Sequence, residues 1–274
     1  GDFRLLNYHV FNWDIAYNPW TVNNRRTRGG PLTLNPPGYQ VDLGWQTDNR
    51  RPVTLNVSWG TYQARSDRNW YFMPSVDVRP KSNVLMSVAP MVTHDLTPVQ
   101  YVGTFGDPSA TATYGNRYVF GTLRQTEVSA GIRLNWTYSP TLSLQLYAQP
   151  LISAGRYTDF KEVARPRTFD FTVYGRDAGT ITRASDGTYI VHPTGSSTDS
   201  LTFSDPDFNF VSLRGNAVLR WEYRPGSTIF LVWTQSRSDN VNIGDFQFGP
   251  SVSRMLGARA DNIFLVKFTY WWNP

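Results

Sequence analysis

The sequence predicts an all-β protein: an antiparallel β-barrel of about ten strands that crosses a bacterial outer membrane. Three observations predict it. Apolar and polar side chains alternate along most of the chain, short turns alternate with long loops, and aromatic residues gather beside the short turns. Alternation with a period of two is typical of a strand with one apolar and one polar face. An apolar face bordered by aromatic residues is typical of membrane barrels rather than soluble sandwiches or propellers.

The stretch from Val211 to Tyr223 shows the alternation most clearly. One face carries apolar or small residues, and the other carries polar or charged residues with Val218 as the exception. Arg224–Ser227 turns the chain, after which the apolar face continues through Ile229, Leu231 and Trp233. We therefore expect a β-hairpin with Ala217 near the middle of the membrane.

A second hairpin repeats this one. The residues LNWTYSPTLSLQL at 134–146 align without gaps on LRWEYRPGSTIFL at 219–231. If both segments turn at their proline, Trp136 lies across from Leu144 and Trp221 lies across from Ile229.

The same alternation predicts ten strands. Their approximate ranges are 3–17, 39–46, 53–60, 70–79, 84–103, 117–138, 142–155, 211–224, 229–236 and 262–272. The alternation slips between Val119 and Val128, which predicts a β-bulge there. A helical turn is predicted near Ser253–Ala258.

The connections between these strands fall into two classes. Turns at 49–52, 80–83, 139–141 and 225–227 are short, and each holds a proline. The alternate connections at 18–37, 104–116, 156–207 and 237–261 are long, and only 66–69 is short. Outer-membrane barrels have short periplasmic turns and long extracellular loops. We therefore place 156–207 outside the cell as the most exposed segment, with a small hairpin at roughly 168–174 and 180–192.

With this topology, aromatic residues form a girdle at the periplasmic interface. The predicted girdle residues are Trp45, Trp136, Tyr138, Trp221, Tyr223, Tyr270 and Trp272. Charged residues fall on the opposite face, toward the lumen. The predicted lumen residues are Asp42, Asp77, Arg79, Arg133, Arg214, Arg220, Glu222 and Arg224. They predict either a water-filled channel whose charges set its selectivity, or an interior lattice of ion pairs that stiffens the wall.

Composition excludes several other classes. No apolar run approaches the ~20 residues of a membrane-spanning helix. The absence of cysteine excludes disulfides and thiolate metal sites. The net charge of +5 comes from scattered basic residues, so we expect no nucleic-acid partner. We expect no cofactor and no metal. The chain opens at Gly1 in mid-strand character, so a targeting segment has been removed or the chain is part of a longer protein.

Three segments carry a resemblance to a known family. They are YAQPLISAGRYTDFKE at 147–162, DPDFNFVSLRGNAVLRWEYRPGSTIFLVWTQSR at 205–237 and NIFLVKFTYWWNP at 262–274. They resemble the C-terminal barrel of an uncharacterised bacterial outer-membrane family whose members carry a module similar to family-nine carbohydrate-binding modules before the barrel. The resemblance implies outer-membrane lipid as a partner, and carbohydrate or other outer-membrane proteins as further partners. No counterpart of that module is present in this chain, and both a ten-stranded barrel and a wider one continuing upstream of Gly1 fit the pattern.

The expected function is a channel or transport pore for small solutes or oligosaccharides. The first alternative is a non-conducting membrane anchor for a surface or periplasmic carbohydrate-binding module. The second is an outer-membrane hydrolase that uses His94 and Asp95 as its base, although no serine motif accompanies them. Asp205-Pro206-Asp207 could bind calcium through its carboxylates, but this tripeptide is more often a turn.

Overall fold

The computed structural model describes residues 1–272 and contains seventeen β-strands and one α-helix in that range. The last two residues of the segment 262–274 lie outside the described residues. The strands are β1 (Asp2–Arg4), β2 (Val10–Asn18), β3 (Thr21–Asn23), β4 (Thr33–Asn35), β5 (Gly38–Gln46), β6 (Val53–Ala64), β7 (Arg68–Lys81), β8 (Val84–Gly106), β9 (Asn116–Ser139), β10 (Leu142–Val163), β11 (Phe171–Val173), β12 (Thr180–Arg183), β13 (Tyr189–His192), β14 (Leu201–Phe203), β15 (Phe208–Arg224), β16 (Ser227–Val241) and β17 (Ala260–Thr269). The helix is α1 (Phe248–Gly257), and a short 3₁₀ turn spans Thr111–Thr113.

One twelve-stranded antiparallel sheet dominates the fold. Its order is β1-β2-β5-β6-β7-β8-β9-β10-β15-β16-β17, and β11 pairs with the end of β10. The predicted all-β antiparallel architecture is confirmed, and the ten long strands of this sheet correspond to the ten predicted strands. Within residues 1–272 no strand pair joins β17 to β1 or β2, so the sheet is open at both edges and no closed barrel is seen. No helix in this range is long and apolar enough to cross a membrane.

The N-terminal stretch predicted as one strand over 3–17 is two strands. β1 pairs antiparallel with the start of β2, and the turn between them places Tyr8 at a positive φ of 64°. The Tyr8 amide donates to the Leu5 carbonyl at 2.9 Å, which closes the turn. This turn explains why the two faces of 3–17 are poorly separated in the sequence.

The two hairpins that form the internal repeat pair as expected. Trp136 lies opposite Leu144, and Trp221 lies opposite Ile229. The final strand is shorter than predicted, because β17 ends at Thr269 and Tyr270 to Trp272 continue beyond it. There the Trp271 amide donates to the Ser227 hydroxyl at 2.9 Å, which ties the end of the chain to the β15–β16 turn.

The predicted irregularity near 119–128 is present, but the extra residues lie on the neighbouring strands. The register with β9 shifts at 97–103 on β8 and at 158–161 on β10. Asp159 takes a positive φ of 47° within the second bulge. Lys161 then donates from Nζ to the Pro98 carbonyl at 2.7 Å, reaching across β9 from one bulged strand to the other.

Bulges allow the strands to extend beyond the predicted boundaries. β10 continues to Val163, so the long connection predicted over 156–207 begins about eight residues later than expected. Within that connection, the residues predicted as a hairpin partner at 168–174 pair with β10 instead, as β11. β12, β13 and β14 form a separate three-stranded sheet.

The two ends of the main sheet differ, and we call them the long-loop end and the short-turn end. At the long-loop end, residues 117–123 of β9 are buried on both sides. Val119 packs under the β12–β14 sheet with Phe160 and Phe203. Phe120 is fully buried in a second cluster with Tyr118, Val99 and Val163.

The loop between β3 and β4 covers part of this second cluster. A side chain at Gly30 would collide with the Tyr118 ring, so only glycine permits this close approach. The Leu34 amide of β4 donates to the Thr168 carbonyl at 3.0 Å, which joins the β3–β4 hairpin to the long connection after β10. The loops at this end therefore form one packed layer.

Helix α1 covers another part of the long-loop end. Met255 packs against Ile152 of β10 and Val211 of β15. Arg254 donates to the Asn209 carbonyl at 2.7 Å, and Arg237 of β16 donates to the carbonyls that end the helix. Basic side chains at a helix C-terminus satisfy carbonyls that have no partner within the helix. The helical turn predicted at 253–258 is thus confirmed as part of a ten-residue helix.

Candidate functional site

The two faces of the main sheet differ in chemistry, and we call them the apolar face and the polar face. One cross-strand row on the apolar face runs through eight strands. Its members are Trp13, Leu43, Trp59, Phe72, Val92, Val128, Ile152 and Val211. Strand pairing therefore assembles an unbroken hydrophobic surface from residues that are far apart in the sequence.

This apolar surface is uncovered away from the long-loop end. A second row, nearer the short turns, contains Val84, Trp136, Leu144, Leu219, Leu231 and Val266. Trp136, Leu231 and Val266 are 38%, 46% and 69% exposed, whereas Val211 under α1 is 0% exposed. Contiguous exposed apolar patches larger than a few hundred Å² are rare on monomeric soluble proteins and mark interaction sites for proteins, membranes or ligands.

The predicted girdle residues lie toward the short turns. Trp136 and Tyr138 have ring centroids 4.1 Å apart, and Tyr223 stacks on Phe268 of β17. Trp45 lies near Phe11 of β2. Tyr270 and Trp272 follow the end of β17 rather than lying within it.

The short turns are displaced progressively along the strands. Cross-strand pairing can be followed from the first residue of each strand to the residue of β9 in the same row. The first residues of β6, β8 and β10 share rows with Leu134, Trp136 and Ser139, respectively. The start of β16 is three residues further on. The displacement is roughly 1.3 residues per strand, which corresponds to a strand tilt of about 40° for a 3.3 Å rise and a 4.8 Å spacing.

The same displacement aligns the aromatic residues. Five of the girdle residues lie in strands. Relative to the cross-strand rows, their positions along the strand direction differ by up to about 10 residues. Relative to the line through the short turns, these positions differ by only about 3 residues. These five are Trp45, Trp136, Tyr138, Trp221 and Tyr223. The turns and the aromatic residues thus define one oblique line across the sheet.

The predicted lumen residues share the polar face. Asp77 is in the same cross-strand row as Arg133, through Ser87, and Arg220 pairs with Phe230. Within residues 1–272, Arg220 and Glu222, 3.0 Å apart, form the one ion pair among the predicted lumen residues. The Arg133 and Arg224 guanidinium groups lie over the rings of Tyr147 and Tyr270. This arrangement does not support an ion-pair lattice.

A shallow groove opens on the polar face between β9, β10 and β15. It has a volume of about 330 Å³ and is lined by Arg133, Gln145, Tyr147 and Asn216, among others. Its lining comes from three strands in register, since Tyr147 lies opposite both Arg133 and Asn216. The groove offers hydrogen-bonding groups and a positive charge to water or a polar solute.

Strand pairing also adds a charged residue to this face that the sequence pattern missed. Asp14 of β2 lies directly opposite Asp42 of β5. The faces of 3–17 are mixed in the sequence, so only the register with β5 assigns Asp14 to the polar face. Asp42 accepts hydrogen bonds from the Tyr71 hydroxyl at 2.8 Å and the Gln40 amide at 2.7 Å.

The residues considered for hydrolysis do not come together. His94 lies on the apolar face, where Nδ1 is 3.0 Å from the Thr126 hydroxyl and the ring lies against Trp70. Asp95 follows on the opposite face, beside Asn69 and Gln125. Adjacent strand residues point in opposite directions, so this pair cannot act on one substrate.

Asp205 and Asp207, the carboxylates of the predicted calcium site, each contact other groups of the protein. Asp205 pairs with Arg183, and the Asp207 carboxylate accepts from the Tyr157 amide at 2.6 Å. Within residues 1–272, no group of acidic or histidine side chains is arranged to hold a metal ion. The Asp-Pro-Asp segment is part of the short connection between β14 and β15.

The long-loop end holds a cluster of ion pairs outside the apolar surface. Arg117 donates to Asp107 at 2.5 Å and to Glu162 at 2.6 Å. The hydrogen bond from Arg117 lowers the pKa of Asp107 to about 2, and the Ser109 hydroxyl adds to this effect. Glu162 also accepts from the Tyr174 hydroxyl at 3.0 Å. These contacts join the β8–β9 loop to the end of β10.

A protein-family model matches the chain. The family described as "Domain of unknown function (DUF5916)" matches residues 2–273, which is nearly the whole chain. A search of curated proteins found no match.

Proposed function

The chain belongs to the DUF5916 family, and we propose that it forms the wall of a β-barrel in a bacterial outer membrane, with its polar face lining a pore for small solutes. The proposal rests on the chemistry and geometry of the sheet.

The oblique line of short turns and aromatic residues carries this proposal. Strands of outer-membrane barrels tilt by about 35–45° and present an apolar band about 25 Å tall, bordered by aromatic girdles. The tilt of about 40° derived from the turns falls in this range. On β15, the stretch from Gly215 to Tyr223, beyond the contact with α1, is about 26 Å along the strand at 3.3 Å per residue, or about 20 Å along the barrel axis at this tilt.

The polar face supports a pore. Its charged side chains are partly or fully exposed and are mostly free of ion pairs within residues 1–272. Charges held in a wall for stiffness alone are expected to pair with one another, because a low-dielectric interior penalises unpaired charge. Water in a lumen would hydrate them instead.

The membrane location is tested by folding the chain into detergent micelles and lipid vesicles. We expect β-type circular dichroism and a gel mobility that changes on boiling, because barrels resist unfolding in mild detergent. Planar bilayers that contain the folded protein should conduct. A water-soluble monomer that needs no detergent would exclude the proposed membrane wall.

A second candidate function is a non-conducting anchor for a carbohydrate-binding module. The observation that favours it is the apolar patch on the polar face near the C-terminal edge, where Phe230, Val232 and Leu265 lie next to one another. These side chains would narrow or fill a lumen. A folded, membrane-inserted protein without conductance would favour this candidate over the pore.

A further inference from the structure

We propose that the polar face carries a charge-divided belt that selects solutes bearing both a positive and a negative group. Its acidic half consists of Asp14, Asp42 and Asp77 on β2, β5 and β7, and its basic half consists of Arg133, Arg220 and Lys267 on β9, β15 and β17. This inference rests on the proposed pore and names the class of solute it passes.

Strand register places all six side chains on one face. Asp42 shares a row with Tyr71 through Gly60, and Tyr71 shares a row with Glu127 through Thr93. Arg133 belongs to the same face of β9 as Glu127, six residues further along an uninterrupted strand. Arg220 and Lys267 are joined to this face through Ser143 and Phe230.

The tilt of the strands places the six residues at one level. Relative to the cross-strand rows, the positions of the six residues along the strand direction differ widely. Relative to the oblique line of the short turns, these positions differ by no more than about 4 residues, which is roughly 10 Å along a barrel axis. Asp95 and Glu127 lie about 15 Å nearer the long-loop end by the same measure. The belt is therefore separated from the charged residues nearer the long-loop end, and toward the short turns Arg79 follows Asp77 by two residues on the same face of β7.

The acidic half is held in an unfavourable arrangement. Asp14 and Asp42 lie directly opposite each other across antiparallel strands, a like-charge pair that destabilises a sheet. Within residues 1–272 neither carboxylate forms an ion pair, and Asp42 is held by the neutral donors Tyr71 and Gln40. Fixed orientation without a counter-charge leaves the negative potential available to a solute.

The basic half is likewise accessible. Arg133 and Lys267 are exposed, and each lies near an aromatic ring, of Tyr147 and Phe230 respectively, rather than near a carboxylate. Arg220 is partly neutralised by Glu222 at 3.0 Å. The positive potential of this half therefore comes mainly from Arg133 and Lys267. Separated charges of opposite sign create a field across the space between them, which favours a dipolar solute over a neutral one of equal size.

The test compares two isomeric solutes in a liposome-swelling assay with the full chain. Alanine is a zwitterion, and lactamide has the same atoms but no charge. We expect wild-type vesicles to admit alanine faster than lactamide. The paired variants Asp14→Asn with Asp42→Asn, and Arg133→Gln with Lys267→Gln, should each lower this rate ratio by roughly twofold or more. In a salt gradient, the first pair should move the ion preference toward anions and the second toward cations.

The controls remove one charge each away from the belt. Asp95→Asn lies on the polar face nearer the long-loop end, and Arg165→Gln lies in the connection after β10, so both should leave the rate ratio unchanged. Boiling-dependent gel mobility checks that every variant folds. If vesicles swell in both solutes and the belt variants leave the ratio of the alanine rate to the lactamide rate unchanged, the charge-divided belt is overturned but the pore is not. If vesicles that contain folded wild-type protein swell in neither alanine nor lactamide, the pore is overturned, and the belt with it.

Discussion

The Arg117 guanidinium donates to the Glu162 carboxylate at 2.6 Å, joining the start of β9 to the end of β10 across 45 positions of the sequence. Arg117 is 9% exposed and Glu162 is 15% exposed as side chains. Asp107 binds the same guanidinium from the β8–β9 loop. One cation thus holds together two carboxylates that would otherwise repel each other.

Replacing Arg117 with methionine should destabilise the long-loop end. Removal of one partner from a buried ion pair leaves uncompensated charge, and because these groups retain some solvent contact we expect a loss of about 2 kcal/mol in the free energy of unfolding. Denaturant unfolding from lipid vesicles measures it. Arg165→Met is the control, because its pair with Asp170 is exposed and should contribute less than about 0.5 kcal/mol. Equal losses in the two variants would contradict the role assigned to Arg117.

The stability of this region should depend on acid pH through Asp107. Its pKa is lowered from 3.8 to about 2, chiefly by the hydrogen bond from Arg117. A carboxylate with a lowered pKa in the folded state stabilises the fold above its ordinary pKa, and this stabilisation is lost as the pH falls toward the folded-state value. We expect the hydrogen-exchange protection factors of residues 116–123, which correct for the intrinsic exchange rate at each pH, to fall between pH 4 and pH 2, with the Arg117→Met variant showing a smaller change across that window.

Arginine substitutions at two adjacent positions of β15 test the assignment of the faces. Ala217 lies between Leu146 and Trp233 on the apolar face, whereas Asn216 lies between Tyr147 and Thr234 on the polar face. Ala217→Arg should cost roughly 2–4 kcal/mol in a bilayer, because the charge would enter hydrocarbon. Asn216→Arg should cost under about 1 kcal/mol, since water screens the added charge.

Unfolding of both variants from lipid vesicles compares these costs directly. The two positions are neighbours on one strand, so each serves as the control for the other. A larger loss for Asn216→Arg would mean that the faces are assigned backwards or that β15 does not cross a membrane.

Protease accessibility tests the orientation of the long-loop end. Residues 194–198 between β13 and β14 are exposed, and Gly195 has a positive φ of 84°. A broad-specificity protease added to intact cells should cut in this segment first, because backbone at exposed loop tips fits most readily into a protease cleft. Cleavage near Pro140 or Pro225 instead would place the short turns outside the cell.

The sequence by itself determined the positions of the long strands, the faces of most of them and the short or long class of their connections. A period of two is a local property, so it identifies strands such as Val211–Tyr223 without any knowledge of their partners. The repeat at 134–146 and 219–231 likewise predicted two cross-strand pairs that the structure confirms. The helical turn near 253–258 was also visible in the sequence, although not its contact with Val211.

Only the tertiary structure decided what depends on pairing between distant segments. Asp14 is assigned to the polar face by its partner Asp42, because its own neighbours in the sequence carry no clear alternation. The bulges belong to β8 and β10 rather than β9, since an extra residue is defined only relative to a partner strand. The strand tilt follows from the register of many successive strand pairs. Because of this tilt, Asp42 and Arg133 lie at about the same distance from the line of the short turns. The register of each pair depends on hydrogen bonds between two separate segments, so no single stretch of the chain determines the tilt.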